Sequence, residues 1–373
     1  MTTFSSLGVS KDFHKALKEN NLIVPTDIQE KTIPVLLKSE TDFIGMAQTG
    51  TGKTVAFGLP ILQKIDPTKK EVQALILSPT RELVQQIKKQ LFKLTKYVPT
   101  KIFSEELYGG VKIDIQINNL KRPTHLVVAT PGRLVDLIER GAVDLTKIKT
   151  IVLDEADEML SMGFKQDLNR ILNYTNGTRK TWLFSATMPD EIQRIVNTYM
   201  DSNVVRVTVN PDSLVNKNIT HQYALVNGKE KFDNLVAFLE ANSKGRGIIF
   251  CKTKAGVQNL NEYLLEEGFS VGALEGDMGQ RDRDKVMRSF KNETRQLLVA
   301  TDVAARGIDV KDLAFVVHYQ LPEQLEYYTH RSGRTARAGK KGVSIALVTS
   351  TELGRLREIE RDLEIKATQV TIS

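Results

Sequence analysis

The chain has one cysteine, Cys251, in 373 residues. A lone thiol excludes any disulfide within the chain and fits a reducing compartment. No apolar run approaches the roughly 18 residues needed to cross a membrane, and the opening "MTTFSSLGVS" contains no apolar signal segment. The expectation is a cytoplasmic protein without a membrane partner. Tryptophan is as scarce as cysteine, and both Trp182 and Cys251 read as core residues. Neither sign of charge dominates. Lys and Arg exceed Asp and Glu by 52 to 45, so the net charge of +7 is a mild hint of a polyanionic partner.

What is present is alternation. Short apolar runs are followed by amphipathic stretches in "ALILSPTRELVQQIKKQL", "HLVVATPGRLVDLIERG", "IIFCKTKAGVQNLNEYLLEEG" and "QLLVATDVAARGIDV". Each reads as a strand, a turn and a helix, which predicts parallel sheets covered by helices on both faces. The length suits two domains. The polar segment "RVTVNPDSLVNKNITH", residues 206–221, breaks the alternation with Pro211 and three asparagines, so the boundary is expected there, dividing 1–210 from 211–373.

The halves repeat one another. Apolar runs end at Thr80 and Thr130 in the first and at Thr253 and Thr301 in the second, intervals of 50 and 48 residues, with "LYGG" and "LEGD" between. Two copies of one fold account for this. Ligands of open parallel sheets bind at the carboxyl ends of strands, where all four threonines are expected. A hydroxyl beside the free amides of a helix N-terminus suits a phosphate, and Arg81, Arg133 and Arg283 add charge nearby. Any one of these threonines alone reads as a helix cap. Their repetition favours a track for successive backbone phosphates, and the lack of interleaved aromatics favours contact with backbone over base sequence.

"AQTGTGKT", residues 47–54, nearly matches a phosphate loop, with Ala47 in place of the first glycine. Gly50 and Gly52 free consecutive N–H groups to face phosphate oxygens, Lys53 reaches the β- and γ-phosphates, and Thr54 ligates Mg²⁺. "TIVLDEADEML" puts Asp154 at the end of an apolar strand, the place of a Mg²⁺-holding carboxylate, with Glu155 suited to orienting or deprotonating the attacking water. "DEAD" alone reads more simply as an acidic helix start. After an apolar strand, in a chain with a phosphate loop, the catalytic reading prevails.

With these motifs in hand, the chain resembles the DEAD-box ATP-dependent RNA helicases of the second helicase superfamily along nearly its whole length. "VPTDIQ" (24–29) resembles the adenine-reading motif, which extends back to residue 4, and Ala47 is the family norm in its loop. "SPTREL", "GG" at 109–110, "TPGR", "DEAD" at 154–157 and "SAT" at 185–187 follow in order, then "IIFCKTK", "QRDR", "ATDVAARGIDV" and "HRSGRTARAG". The resemblance implies two tandem RecA-like domains and an RNA-stimulated ATPase acting as a monomeric core. It implies adenine contacts from Gln29 and Phe4, and phosphate-loop contacts from Ala47, Gln48, Thr49, Gly50, Thr51, Gly52, Lys53 and Thr54. Ribose contacts fall to Gly307 and Asp309, and arginine fingers to Arg334 and Arg337. RNA contacts are implied for Thr80, Arg81, Gly110, Thr130, Arg133, Thr253, Arg283 and Thr301. Ser185, Thr187 and His330 are implied to couple the ATP site to the domain interface.

On this reading the two domains close on ATP and RNA together, and the helix starting at Pro131 bends one strand and opens short duplexes. Two alternatives stay open at this point: a DNA-directed helicase of the same superfamily, and an ATP-gated RNA clamp that unwinds little. The chain departs from the family pattern at Asn21-Leu22, usually Gly-Phe, at Glu275, often His, and at Ser332, usually Ile.

Overall fold

The computed structural model describes residues 2–48, 50–175, 177, 179–209, 218–305, 313–336 and 341–372. The chain divides into two compact units, Met1–Asn210 and Pro211–Ser373.

The first unit is built on strands β1 (Phe43–Met46), β2 (Ala74–Leu77), β3 (Ser104–Leu107), β4 (Leu126–Ala129), β5 (Thr150–Asp154), β6 (Lys180–Ser185) and β7 (Val205–Thr208). They form one seven-stranded sheet in the order β3-β4-β2-β5-β6-β1-β7, and every neighbouring pair is parallel. Side chains alternate between two cores. Phe43, Ile76, Val128, Val152 and Phe184 enter one, while Ile44, Leu77, Val127, Leu153 and Leu183 enter the other. Strands buried on both faces must be apolar, which is why the inner strands β2 and β4 read as unbroken apolar runs, while the edge strands β3 and β7 carry Glu105, Glu106 and Arg206. The expected core residue Trp182 lies in the first cluster at 1% exposure.

The second unit repeats this architecture with β8 (Ile219–Leu225), β9 (Gly247–Phe250), β10 (Val271–Leu274), β11 (Leu297–Ala300), β12 (Phe315–His318), β13 (Gly342–Val348) and β14 (Thr368–Gln369). Its order is β10-β11-β9-β12-β13-β8-β14, again parallel throughout. Position by position, this is the order of the first sheet. The sheets are therefore wholly parallel, and the two units are copies of one RecA-like fold. Ile249, Val299 and Val317 face one core and Ile248, Leu298 and Val316 the other. Cys251 is free and buried.

Candidate active site and RNA-contact residues

The chain leaves β1 at Ala47 and enters the helix Lys53–Lys64. Gly50 and Gly52 have φ of +86° and +94°, a conformation open to glycine without steric cost. Ala47 is absent from the positive-φ residues, so its position does not call for glycine. Its methyl group packs instead with Ile28, Ala56 and Val209, and its N–H donates to the Ser185 carbonyl at 3.1 Å. The loop is braced by its own polar groups: the Thr51 hydroxyl donates to Gln48 O at 2.8 Å and that of Thr26 to Thr51 O at 2.8 Å. Lys53, 6% exposed, donates from Nζ to Ala47 O at 2.9 Å. Thr54 follows on the same helix, half-buried. Thr49 lies outside the described residues.

Gln29 holds this loop from the side. It stands on the helix Asp27–Lys38, its Oε1 accepting from Thr26 N at 3.0 Å and its Nε2 donating to Gly52 O at 3.1 Å. A side chain at Gly52 would collide with this amide. One N–H and one lone pair of Gln29 lie beyond these bonds. Phe4 is 5% exposed and packs in the core cluster with Leu7, Val9 and Phe13. Asn21 has φ of +55°, a left-handed conformation that asparagine tolerates as glycine does. That departure from the family pattern therefore preserves the backbone.

Asp154 closes β5, 4% exposed, and its Oδ1 has no hydrogen-bond partner. Burial pushes its carboxyl up to about 7, with Lys53 pulling it down and Glu155 pushing it further up. Glu155 follows at φ +53°, ψ +53°, a left-handed position that costs a non-glycine residue about 1–2 kcal/mol. It turns the chain sharply out of the strand. Asp157 is the residue that the sequence motifs left without a role. Its Oδ2 accepts from Ala186 N at 3.1 Å, Thr187 N at 2.8 Å and Thr187 Oγ1 at 2.9 Å, and its own N–H donates to Ser185 Oγ at 3.3 Å. The phosphate loop, the end of β5 and the end of β6 are thereby joined through Ser185, which bonds both Ala47 and Asp157. Among the described residues no group of three or more His, Cys, Asp or Glu is placed to hold a metal. One buried carboxylate with an unpartnered oxygen fits Mg²⁺, which takes one or two carboxylates and completes its shell with phosphates and water.

The four threonines follow strand ends, at equivalent places in the two sheets. Thr80 caps the helix Arg81–Leu94, accepting from Leu83 N at 3.3 Å. Thr130 precedes the helix Pro131–Glu139 and makes no side-chain cap bond. Thr253 caps Lys254–Glu266, accepting from Gly256 N at 3.0 Å, and Thr301 accepts from Ala304 N at 3.4 Å. Capping uses a lone pair and leaves the hydroxyl hydrogen to donate, so cap and phosphate ligand are compatible roles. The Arg81 guanidinium lies 4.9 Å from the Tyr108 ring centroid, and Arg133 Nη1 donates to Val111 O at 3.0 Å. Arg283 Nη2 donates to Ala304 O at 2.8 Å, one turn from Thr301. Gly110, with φ +83°, is exposed.

In the second unit, His330 is half-buried on the helix Leu325–Ser332. Arg334 is 8% exposed and donates from Nε to His330 O at 3.0 Å. Gly307, Asp309 and Arg337 lie outside the described residues. Sequence reasoning also missed the pair of buried Arg331 and half-buried Asp302, joined at 2.5 and 2.7 Å. No local spacing signals two residues 29 apart. At Glu275, the second departure from the family pattern, Oε2 accepts from Asp277 N at 2.6 Å.

A parallel sheet with a glycine loop at a strand end, a buried lysine and a strand-terminal carboxylate defines a nucleotide-hydrolysing phosphate-loop protein. Comparison with known proteins narrows the class. Residues 26–195 match the DEAD/DEAH box helicase family and residues 230–339 the helicase conserved C-terminal domain. The chain is 43% identical over 366 residues to the DEAD-box ATP-dependent RNA helicase CshA of Geobacillus kaustophilus, covering 98% of this chain and 78% of that one. It is 44% identical over 358 residues to CshA of Limosilactobacillus reuteri, covering 96% and 71%. Among solved structures it is similar to S. cerevisiae Dbp5 bound to RNA and ADP BeF3, with 32% identity, TM-score 0.91 and coverage of 100% and 96%. It is likewise similar to Mss116p bound to ssRNA and AMP-PNP, with 32% identity, TM-score 0.87 and coverage of 100% and 80%. The chain belongs to the DEAD-box family of ATP-dependent RNA helicases. Its nucleotide is ATP, and no helix among the described residues is long and apolar enough to cross a membrane.

Proposed function

We propose that ATP hydrolysis in this helicase is divided between the units, with residues 1–210 binding ATP and residues 211–373 completing the catalytic set. The observation that carries this reading is the buried, unpartnered Oδ1 of Asp154, whose carboxyl rises to about 7 because burial disfavours its charge. Such an oxygen is suited to a cation that arrives with the nucleotide. Mg²⁺ held by Asp154 and Thr54 would neutralise phosphate charge during transfer.

The chain's own groups then have distinct tasks. Lys53 exchanges the Ala47 carbonyl for phosphate oxygens, and the N–H groups of the loop that Ala47 opens, from Gln48 through Thr49, Gly50, Thr51 and Gly52 to Thr54, cradle the phosphates. Gln29 offers its remaining N–H and lone pair to the adenine edge, with Phe4 beside it. Glu155 orients the attacking water and takes its proton. Arg334 and Arg337 supply positive charge to the γ-phosphate, while Gly307 and Asp309 meet the ribose.

Thr80, Arg81, Gly110, Thr130, Arg133, Thr253, Arg283 and Thr301 contact RNA phosphates and sugars. Ser185, Thr187 and His330 carry the coupling, so that ATP and RNA each favour the closed arrangement and reinforce one another. Closure bends one strand and separates short duplexes, and hydrolysis serves release. We place this work in the cytoplasm, with the core acting as a monomer. The test is Glu155→Gln, which keeps every phosphate-binding group and removes only the group that prepares water. Nucleotide binding is expected to survive, and RNA-stimulated turnover to be lost. Turnover at the wild-type rate would remove Glu155 from the mechanism.

A further inference from the structure

Behind the helix Leu325–Ser332 lies a buried polar cluster for which neither the motif pattern nor the hydrolysis scheme has a use. His318, Ser332 and Ser344 are all fully buried. The two serine hydroxyls are 2.9 Å apart, and His318 Nε2 lies 3.0 Å from Ser344 Oγ and 3.4 Å from Ser332 Oγ. The Tyr328 ring stacks on His318 at 4.5 Å.

The arrangement has a direction. Arg331 Nη1 faces His318 Nδ1 at 3.4 Å, and a guanidinium has no acceptor. Nδ1 is therefore the accepting nitrogen, and Nε2 carries the hydrogen and donates toward the serines. Burial, followed by the nearby charge of Arg331 and the neighbouring His221, holds the ring's pKa well below its ordinary value, so one tautomer persists.

Pinned side chains fix the carbonyls behind them. The Arg331 carbonyl accepts from Arg334 N at 3.0 Å and the Ser332 carbonyl from Thr335 N at 3.2 Å, while the His330 carbonyl accepts from Arg334 Nε. Arg331 is itself clamped by Asp302 and by Gln320 O at 2.7 Å. The turn that carries Arg334 thus hangs from two residues whose side chains are tied into the sheet at β12 and β13.

We propose that His318, Ser332 and Ser344 are positioning residues for Arg334, setting the turn that aims its guanidinium. This rests on the reading of Arg334 as the group that supports the transferring phosphate. Apolar packing would serve as well if the turn had only to be filled, as the isoleucine usual at this position would do. In this chain Ser332 stands there and meets His318 and Ser344 through polar groups, and hydrogen bonds fix angle as well as distance.

The experiment compares Ser332→Ala, Ser344→Ala, their double variant and Arg334→Ala in the full chain, measuring RNA-stimulated ATPase kinetics, RNA affinity and melting temperature. Small misplacements of a catalytic group are costly, so each serine variant is expected to lower kcat about tenfold, with KM for ATP and RNA affinity unchanged. The double variant is expected to be no worse than either single one, as for residues acting through one network. Should one serine variant fail to fold, the other carries the comparison. Wild-type kcat in folded serine variants, beside a strongly reduced Arg334→Ala, overturns the positioning role and spares the arginine reading. Wild-type kcat in Arg334→Ala overturns both.

Discussion

Asp157 accepts both the backbone N–H and the hydroxyl of Thr187, at 2.8 and 2.9 Å, through a single carboxylate oxygen. A third donor, Ala186 N, reaches the same oxygen at 3.1 Å. Hydrogen bonds to a charged group contribute about 1.5–3 kcal/mol each, and a donor left unsatisfied in a buried place costs about as much. Asp157→Ala is therefore expected to destabilise the protein by about 3 kcal/mol or more in urea unfolding, and Thr187→Val by about 1 kcal/mol. An Asp157→Ala variant as stable as wild type would mean that this junction holds nothing together.

Asp154 predicts an unusual pH dependence. Its folded-state pKa of about 7 lies above the ordinary aspartate value of 3.8, because burial disfavours the charge. Its contribution to stability is therefore full below the unfolded value and is lost as pH rises through the folded one. In the absence of nucleotide and divalent cation, Asp154→Asn is expected to melt above wild type near pH 8, with the gap closing toward pH 5. Mg²⁺ at the higher pH is expected to raise the wild-type melting temperature and leave the variant unmoved. Equal responses of the two proteins would separate the cation from Asp154.

RNA binding through phosphates carries charge and little base information. Affinity is expected to be similar across single-stranded sequences and to fall with salt at a log-log slope of about −0.7 per phosphate neutralised. Arg81→Ala is expected to flatten that slope by about the same 0.7. Thr253→Val removes a hydroxyl but no charge, so it is expected to weaken binding and leave the slope as it was. A strong preference for one sequence would count against the threonine track.

Much of this was legible because it is local. The strand-to-helix alternation, the loop from Ala47 to Thr54 and the strand ending at Asp154 are contiguous in the chain, and both-face burial writes itself as apolar runs. The repeat of Thr80 and Thr130 by Thr253 and Thr301 anticipated two sheets of identical order. What stayed hidden depends on distance. Asp157 meets residues about thirty positions away, the Arg331–Asp302 pair spans 29, and His318 finds Ser344 on the neighbouring strand, 26 positions on. Gln29 shows a further limit: a residue read as an adenine ligand also braces the phosphate loop through Gly52, a contact that no spacing between residues 29 and 52 announces.

Neither unit is expected to hydrolyse ATP alone. A fragment of residues 1–210 contains its own sheet and both of its cores, together with Lys53, Asp154 and Glu155, so it is expected to fold and to bind ATP with Mg²⁺. It lacks Arg334, and arginine fingers are worth roughly 10³- to 10⁵-fold in related phosphoryl transfers. The decisive measurement is its ATPase turnover with saturating RNA, beside that of the full chain. Turnover close to background is expected from a fragment that still binds nucleotide; hydrolysis at the full RNA-stimulated rate would leave the second unit no part in the chemistry.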